Sequence, residues 1–291
     1  MLKKLEGTDL TDNQKKPLFT IKNSQIEVFN KVETGNITHA VFDFDGTISL
    51  IRDGWQNVMV PLMIEILMQT PNHESHEEIK KVVIDFVDKL TGKQTIYQMI
   101  RLAEEVAKRG GTPKEPLEYK DMYNQRLMPD VNERIKQLHE GKIDRHSMMT
   151  RDSEEFLKAL QKKGVKMYLT SGTDIEFVKH EAEVLDVAKY YEGGIFGALR
   201  EYKLFSKEMV IRDILKRFDL HGRSLLVVGD GFVEIKNAKE AGAISLGIYS
   251  DENNIFEMNA NKRLKLIEAG ADILAHDFRE TDALVKYLFH D

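Results

Sequence analysis

No cysteine occurs among the 291 residues. That absence removes disulfides, thiolate metal sites and cysteine nucleophiles together, and it fits an expected cytoplasmic setting. An excess of positive charge is missing too. Lysine and arginine number 42 against 48 acidic residues, a formal charge of −6. Such a chain lacks the basic footprint of a nucleic-acid binder or of a protein drawn to anionic membranes. No run approaches the roughly 20 apolar residues that cross a bilayer. After Met1-Leu2-Lys3-Lys4 the sequence turns polar through Glu6, Asp9 and Asp12, so no secretory signal is expected. There is no internal repeat and no low-complexity tract. What remains is ordinary soluble composition, 42% hydrophobic and 31% charged, in a chain long enough for one large domain or two modest ones.

Residues 1–38 are polar, with brief alternating runs at Phe19-Thr20-Ile21 and Ile26-Glu27-Val28 that suggest a small β extension. The run Ala40-Val41-Phe42 then stops at Asp43-Phe44-Asp45-Gly46-Thr47, as a buried parallel strand does when its end opens a site. From 53 to 150 the periodicity is helical. Five helices are expected: Val58 to Leu67, one behind a Ser75/Glu78 capping box, Ile96 to Val106, Tyr119 to Met128, and Pro129 to Gly141. Beyond 150, short apolar strands alternate with helices: Val165–Leu169, Gly194–Ala198, Leu225–Val228, Ala243–Ile248 and Asp272–Leu274. That alternation predicts βαβ units and a parallel sheet, an α/β fold. The expected division is an N-terminal extension over 1–38, an α/β core built from 39–52 and 151–291, and an inserted helical block over 53–150.

Three of these strands end in complementary polar residues, and ligands of open α/β sheets bind beyond the carboxyl ends of strands. Phosphoryl transfer needs a nucleophile, a cation, anion donors and a proton donor. Asp43 suits the nucleophile. Asp43 and Asp230 offer the hard oxygen ligands that Mg²⁺ prefers. Ser171 with the Gly172 backbone would cradle an anion at a helix N-terminus, with Thr170 as the alternative hydroxyl. Gly172 lets the backbone approach an anion closely. Lys207 would offset the crowded negative charge, with Lys203 as a substitute. Asp45, two residues on from Asp43 on an extended segment, faces the same side and suits a general acid and base.

The segment Asp43-Phe44-Asp45-Gly46-Thr47 resembles the first signature of the haloacid dehalogenase superfamily. Ser171, Lys207 and Gly229-Asp230 are similar to its second, third and fourth signatures, in order, and the resemblance spans about residues 40–290. It implies a Rossmann-like parallel sheet with an all-helical cap of the C1 type. It also implies that Asp43 is nucleophile and Mg²⁺ ligand, and that Asp45 is acid/base and binds the metal through its backbone carbonyl. Asp45 favours the phosphatase and phosphomutase branch, since dehalogenases lack that second aspartate. Glu234 stands where the family often has aspartate, which implies a contact to the metal through water.

The expected activity is therefore a Mg²⁺-dependent phosphatase hydrolysing a small phosphorylated metabolite through an aspartyl-phosphate. The alternatives are a phosphomutase of β-phosphoglucomutase type and a non-catalytic binding module on the same scaffold. Arg52, Lys93 and Gln94 are further candidates for substrate contact, Arg52 beside the first signature and the other two in a polar cap segment. Trp55 suits hinge or cap packing. His73 and His76 have helical ligand spacing but no third ligand, so capping or solvation is expected of them.

Overall fold

The computed structural model describes residues 11, 15–251 and 257–290, so residues 1–10 and 12–14 of the expected extension lie outside the described residues. Strands β1 (Phe19–Thr20) and β2 (Glu27–Val28) pair antiparallel, and β3 (His39–Asp43) follows. Four helices come next: α1 (Trp55–Leu67), α2 (His76–Leu90), α3 (Thr95–Lys108) and α4 (Pro116–His139). The chain then alternates through α5 (Ser153–Lys162), β4 (Lys166–Asp174), α6 (Ile175–Val184), β5 (Gly194–Ala198), α7 (Lys207–Arg217) and β6 (Leu225–Gly229). It closes with α8 (Phe232–Glu240), β7 (Ile244–Ile248), α9 (Ala260–Ala269), β8 (Ile273–Ala275) and α10 (Thr281–Phe289).

The strands form one sheet in the order β1-β2-β8-β7-β6-β3-β4-β5, parallel except for the added β1–β2 hairpin. Every residue of β3 and β6 is buried, because helices cover both faces; this is why these strands read as unbroken apolar runs. β3 is central. The chain leaves it toward β4 and β5 on one side and returns to β6, β7 and β8 on the other, so the crevice at its carboxyl end lies at a topological switch point.

The capping box forms as expected: Ser75 accepts from the Glu78 backbone, and the Glu78 carboxylate accepts from the Ser75 backbone N–H. The two helices expected around Pro129 are a single helix, α4. Proline inside a helix costs about 3 kcal/mol. Here the buried stripe Tyr119, Tyr123, Leu127, Val131 and Ile135 continues at fourth-residue spacing across the break, and burying each such side chain contributes about 1.5–3 kcal/mol. Packing outweighs the lost hydrogen bond. The connections into and out of the helical block run side by side, joined by Leu50 N–H to Met148 O at 2.9 Å and Thr150 N–H to Ile48 O at 3.0 Å. Among the described residues no helix is long and apolar enough to cross a membrane.

Candidate active site

A cavity of about 370 Å³ opens at the carboxyl end of β3, between the sheet and helices α1–α4. Asp43 ends β3, and Asp45 stands in the turn that follows, where Gly46 takes a positive φ of 76° and the backbone of Ser49 folds back onto Phe44. Asp43 is buried; its Oδ1 accepts from the Phe44 backbone N–H at 2.8 Å and from the Lys207 ammonium at 2.6 Å. Lys207 stands in the first turn of α7, behind the N-cap Ser206, and is buried as well. Its ammonium also donates to Glu234, so one cation bridges two carboxylates. Burial pushes the Asp43 carboxyl well above the usual range; Lys207 pulls it back, and the charges of Glu234 and Asp230 push it further up.

Asp45 is held differently. Its Oδ2 accepts from Ser171 Oγ at 2.8 Å and from Thr173 Oγ1 at 3.0 Å, both at the end of β4. Its Oδ1 is buried without a hydrogen-bond partner. Asp230, just past β6, accepts from Thr47 Oγ1 at 3.4 Å and from the Lys262 ammonium at 2.7 Å.

Some candidates lie elsewhere than the sequence suggested. The Thr170 hydroxyl donates to the Phe42 carbonyl at 3.1 Å, between adjacent strands, and Thr170 does not line the cavity. Ser171 is fully buried and its hydroxyl donates to Asp45. Gly172 lines the cavity, but the close approach it permits is to the Lys93 carbonyl: a Cβ there would collide with that backbone. Gln94 is buried, and its amide donates to the carbonyls of Tyr202 at 2.9 Å and Phe205 at 2.7 Å; it joins the helical block to the segment before α7 and does not line the cavity. Arg52 and Lys93 line the cavity. The Arg52 guanidinium is committed to Glu181 at 2.7 Å and lies 5.0 Å from the centre of the Phe177 ring. Trp55 opens α1 at the cavity wall. Lys203 lies against the Tyr202 ring, away from the cavity. His73 and His76 are exposed at the start of α2, with His73 Nδ1 2.9 Å from the Glu74 carbonyl.

Among the described residues no three carboxylates or histidines close on one point to ligate an ion. The donor set nevertheless fits a hard divalent cation. Asp43, Asp230 and Glu234 bring carboxylate oxygens to one end of the cavity, offset by the ammonium groups of Lys207 and Lys262, and Glu234 Oε2 is a buried oxygen without a hydrogen-bond partner.

The model of the haloacid dehalogenase-like hydrolases matches residues 37–242. The chain belongs to that family. Among solved structures, a predicted phosphatase from Clostridium acetobutylicum is similar at 16% identity and a TM-score of 0.55, covering 88% of this chain and 99% of its own. A predicted phosphoglycolate phosphatase from Haemophilus somnus shares 15% identity at a TM-score of 0.57, covering 87% and 99%. CbbY from Rhodobacter sphaeroides, crystallised with xylulose 1,5-bisphosphate, shares 15% identity at a TM-score of 0.51, covering 84% and 96%. At these identities the likeness is one of fold. No curated protein matches the chain.

Thr173, Lys120 and Lys262 also line the cavity, Glu181 holds Arg52 at its wall, and the sequence pattern pointed to none of the four. Thr173 follows Ser171 by two residues on β4, a spacing that could have flagged it. Lys120 of α4 pairs with Asp174, and both line the cavity. Lys262 lies on α9, whose weak apolar periodicity hid the helix itself.

Proposed function

We propose that this hydrolase is a Mg²⁺-dependent phosphatase of a small phosphorylated metabolite, passing the phosphoryl group first to Asp43 and then to water. One observation carries the reading: the two aspartates are held in unlike ways suited to unlike tasks. Asp43 offers Oδ2, which makes no hydrogen bond among the described residues, while Oδ1 is pinned by Lys207 and the Phe44 N–H. That is a nucleophile with one oxygen fixed and the other free. Asp45 is oriented by two hydroxyls through Oδ2, which leaves Oδ1 to handle a proton.

Asp43 attacks phosphorus, and the bond from phosphorus to the leaving oxygen breaks as Asp45 donates a proton to that oxygen. Asp45, now ionised, takes a proton from water; the hydroxide attacks the aspartyl-phosphate, and Asp43 is released with inorganic phosphate. Lys207 lowers the cost of gathering phosphate beside Asp43 and Glu234. Mg²⁺, held by Asp43, Asp230 and the backbone carbonyl of Asp45, would neutralise non-bridging phosphoryl oxygens; Glu234, tied to Lys207, would act through water. Helices α1–α4 serve as the cap that excludes bulk water. A cavity of 370 Å³ suits a sugar phosphate or smaller ester, and the fold relative that holds xylulose 1,5-bisphosphate supports that class.

The test is phosphate release from a panel of sugar phosphates, phosphoglycolate and nucleotides, with and without Mg²⁺. We expect turnover that requires the ion and is abolished by Asp43→Asn. Turnover undiminished in that variant, or none over the panel, overturns the reading. A phosphoryl group moved to another position of the sugar, with no phosphate freed, would make the protein a mutase.

A further inference from the structure

We propose that Gln94 is a positioning residue for Lys207: it ties the helical block to the segment that delivers the lysine to Asp43. The inference rests on the reading of Lys207 as the counter-charge beside Asp43 and the bound phosphate.

Gln94 stands at the N-cap of α3, where a side chain ordinarily caps its own helix, yet it makes no such bond. It turns to the core instead. Its amide has two hydrogens, and it donates to the Tyr202 carbonyl at 2.9 Å and to the Phe205 carbonyl at 2.7 Å. Gln94 is 3% exposed, and a buried carbonyl that loses its donor is costly. The segment so held has little packing of its own, since Glu201, Lys203 and Leu204 are exposed. Ser206 then caps α7 by accepting from the Met209 N–H at 3.1 Å, and Lys207 is the first residue of that helix. Fixing the Phe205 carbonyl therefore fixes the start of α7 and the lysine with it.

The same loop of the helical block reaches the other partner of that lysine. Gly92 takes a positive φ of 88°, and a Cβ there would lie 3.1 Å from the Val233 side chain and 3.3 Å from Glu234 Oε1. Glu234 Oε1 is the oxygen that accepts from Lys207. Residues 92–94 thus abut the carboxylate on one side and the carrier of the ammonium on the other. Tyr97, in the first turn of α3, packs edge-on against Tyr202 with ring centres 5.6 Å apart. Seating of the helical block and placement of the counter-charge are in this way one event.

Acetylation of the full-length chain by an activated acetate ester, followed lysine by lysine by peptide mass spectrometry, tests this without reference to turnover. A buried amine reacts through local opening, so its rate reports how firmly it is held. Gln94→Met keeps the volume and loses the donor; Lys207 should then react about tenfold faster, the effect of one buried carbonyl left without its donor. Gln94→Glu turns the donor into an acceptor facing two carbonyls, should exceed that effect, and guards against a packing defect peculiar to methionine. Lys120, buried where α4 meets the core at Asp174, should react as in the natural chain. Equal acceleration at Lys120 and Lys207 would mean that Gln94 only holds the helical block shut, and no acceleration at Lys207 in either variant would mean that it holds nothing; each overturns the inference. With p-nitrophenyl phosphate and Mg²⁺, Gln94→Met should lower kcat about tenfold and change KM by less than about twofold, because Gln94 does not line the cavity. A raised KM with kcat unchanged would overturn the positioning role. No turnover by the natural chain would remove the phosphatase reading instead, and the acetylation rates would still show whether Gln94 holds Lys207.

Discussion

Ser171 donates its hydroxyl to Asp45 at 2.8 Å, so the residue expected to cradle phosphate also orients the proposed acid and base. Thr173 repeats the contact at 3.0 Å, and its own backbone N–H is received by Ser171 Oγ at 2.9 Å. A hydrogen bond to a charged group contributes ~1.5–3 kcal/mol. Ser171→Ala should thus lower kcat by about tenfold to a hundredfold, with the far-ultraviolet circular dichroism unchanged. Thr173→Ala should do less, because Ser171 remains. Steady-state kinetics of the two variants check the ranking, and an unaltered kcat in both would remove them as supports of Asp45.

Lys207 holds two buried carboxylates at once, and its removal has a structural as well as a catalytic consequence. Lys207→Met leaves Asp43 and Glu234 facing each other in a dry site, a loss of about 3–5 kcal/mol for a broken buried pair. Adding Glu234→Gln to that variant removes one of the stranded charges. Urea denaturation should therefore show a large drop for Lys207→Met and a partial recovery in the double variant, while turnover stays absent in both. A double variant no more stable than the single one would show that Glu234 does not share the lysine.

The strand ends that carry Asp43 and Asp230 were legible because the signal is local: a buried apolar run that stops at carboxylate and glycine. The same locality explains the misreadings. Pro129 reads as a helix break over any short window, yet the stripe from Tyr119 to Ile135 spans it and is visible only when both sides are taken together. Thr170 and Ser171 are adjacent hydroxyls, and the sequence does not say that the first faces the Phe42 carbonyl and the second Asp45. Gln94 looked like a polar residue offered to ligand, but its partners are carbonyls more than a hundred residues away in the chain. Arg52–Glu181 and Lys262–Asp230 are likewise long-range pairs. α9 escaped because Asn261, Lys262, Arg263 and Lys265 swamp the few apolar positions of its period.

Gly172 sits against the Lys93 carbonyl, where the polar cap segment meets the end of β4. The obstacle to a side chain there is backbone, which cannot turn aside as a flexible side chain can. Gly172→Ala should push Lys93 and Gln94 outward and strain the Gln94 bonds to Tyr202 and Phe205. The expected result is a KM several-fold higher with a small loss of stability, about 1–3 kcal/mol for overpacking. Measured KM and Tm values identical to those of the natural chain would mean that the cap segment yields without cost and does not shape the cavity.

Glu181 supplies a pH dependence with a definite sign. Burial pushes its carboxyl up to about 7 from the ordinary 4.5; Arg52 pulls against that rise, and the charge of Asp45 adds to it. Between those two values the folded chain keeps a proton that the unfolded chain has released, so this group makes stability fall as pH rises through the window. The full effect is ~3 kcal/mol, since each pH unit corresponds to about 1.4 kcal/mol. Glutamine imitates the protonated form and cannot ionise. Glu181→Gln should match the natural chain near pH 5 and exceed it by about 2–3 kcal/mol at pH 8, with other titrating groups cancelling in the difference. Denaturation curves at both pH values decide it: a difference that stays constant would mean that Arg52 holds Glu181 ionised throughout, and the ion pair rather than burial would then govern this wall of the cavity.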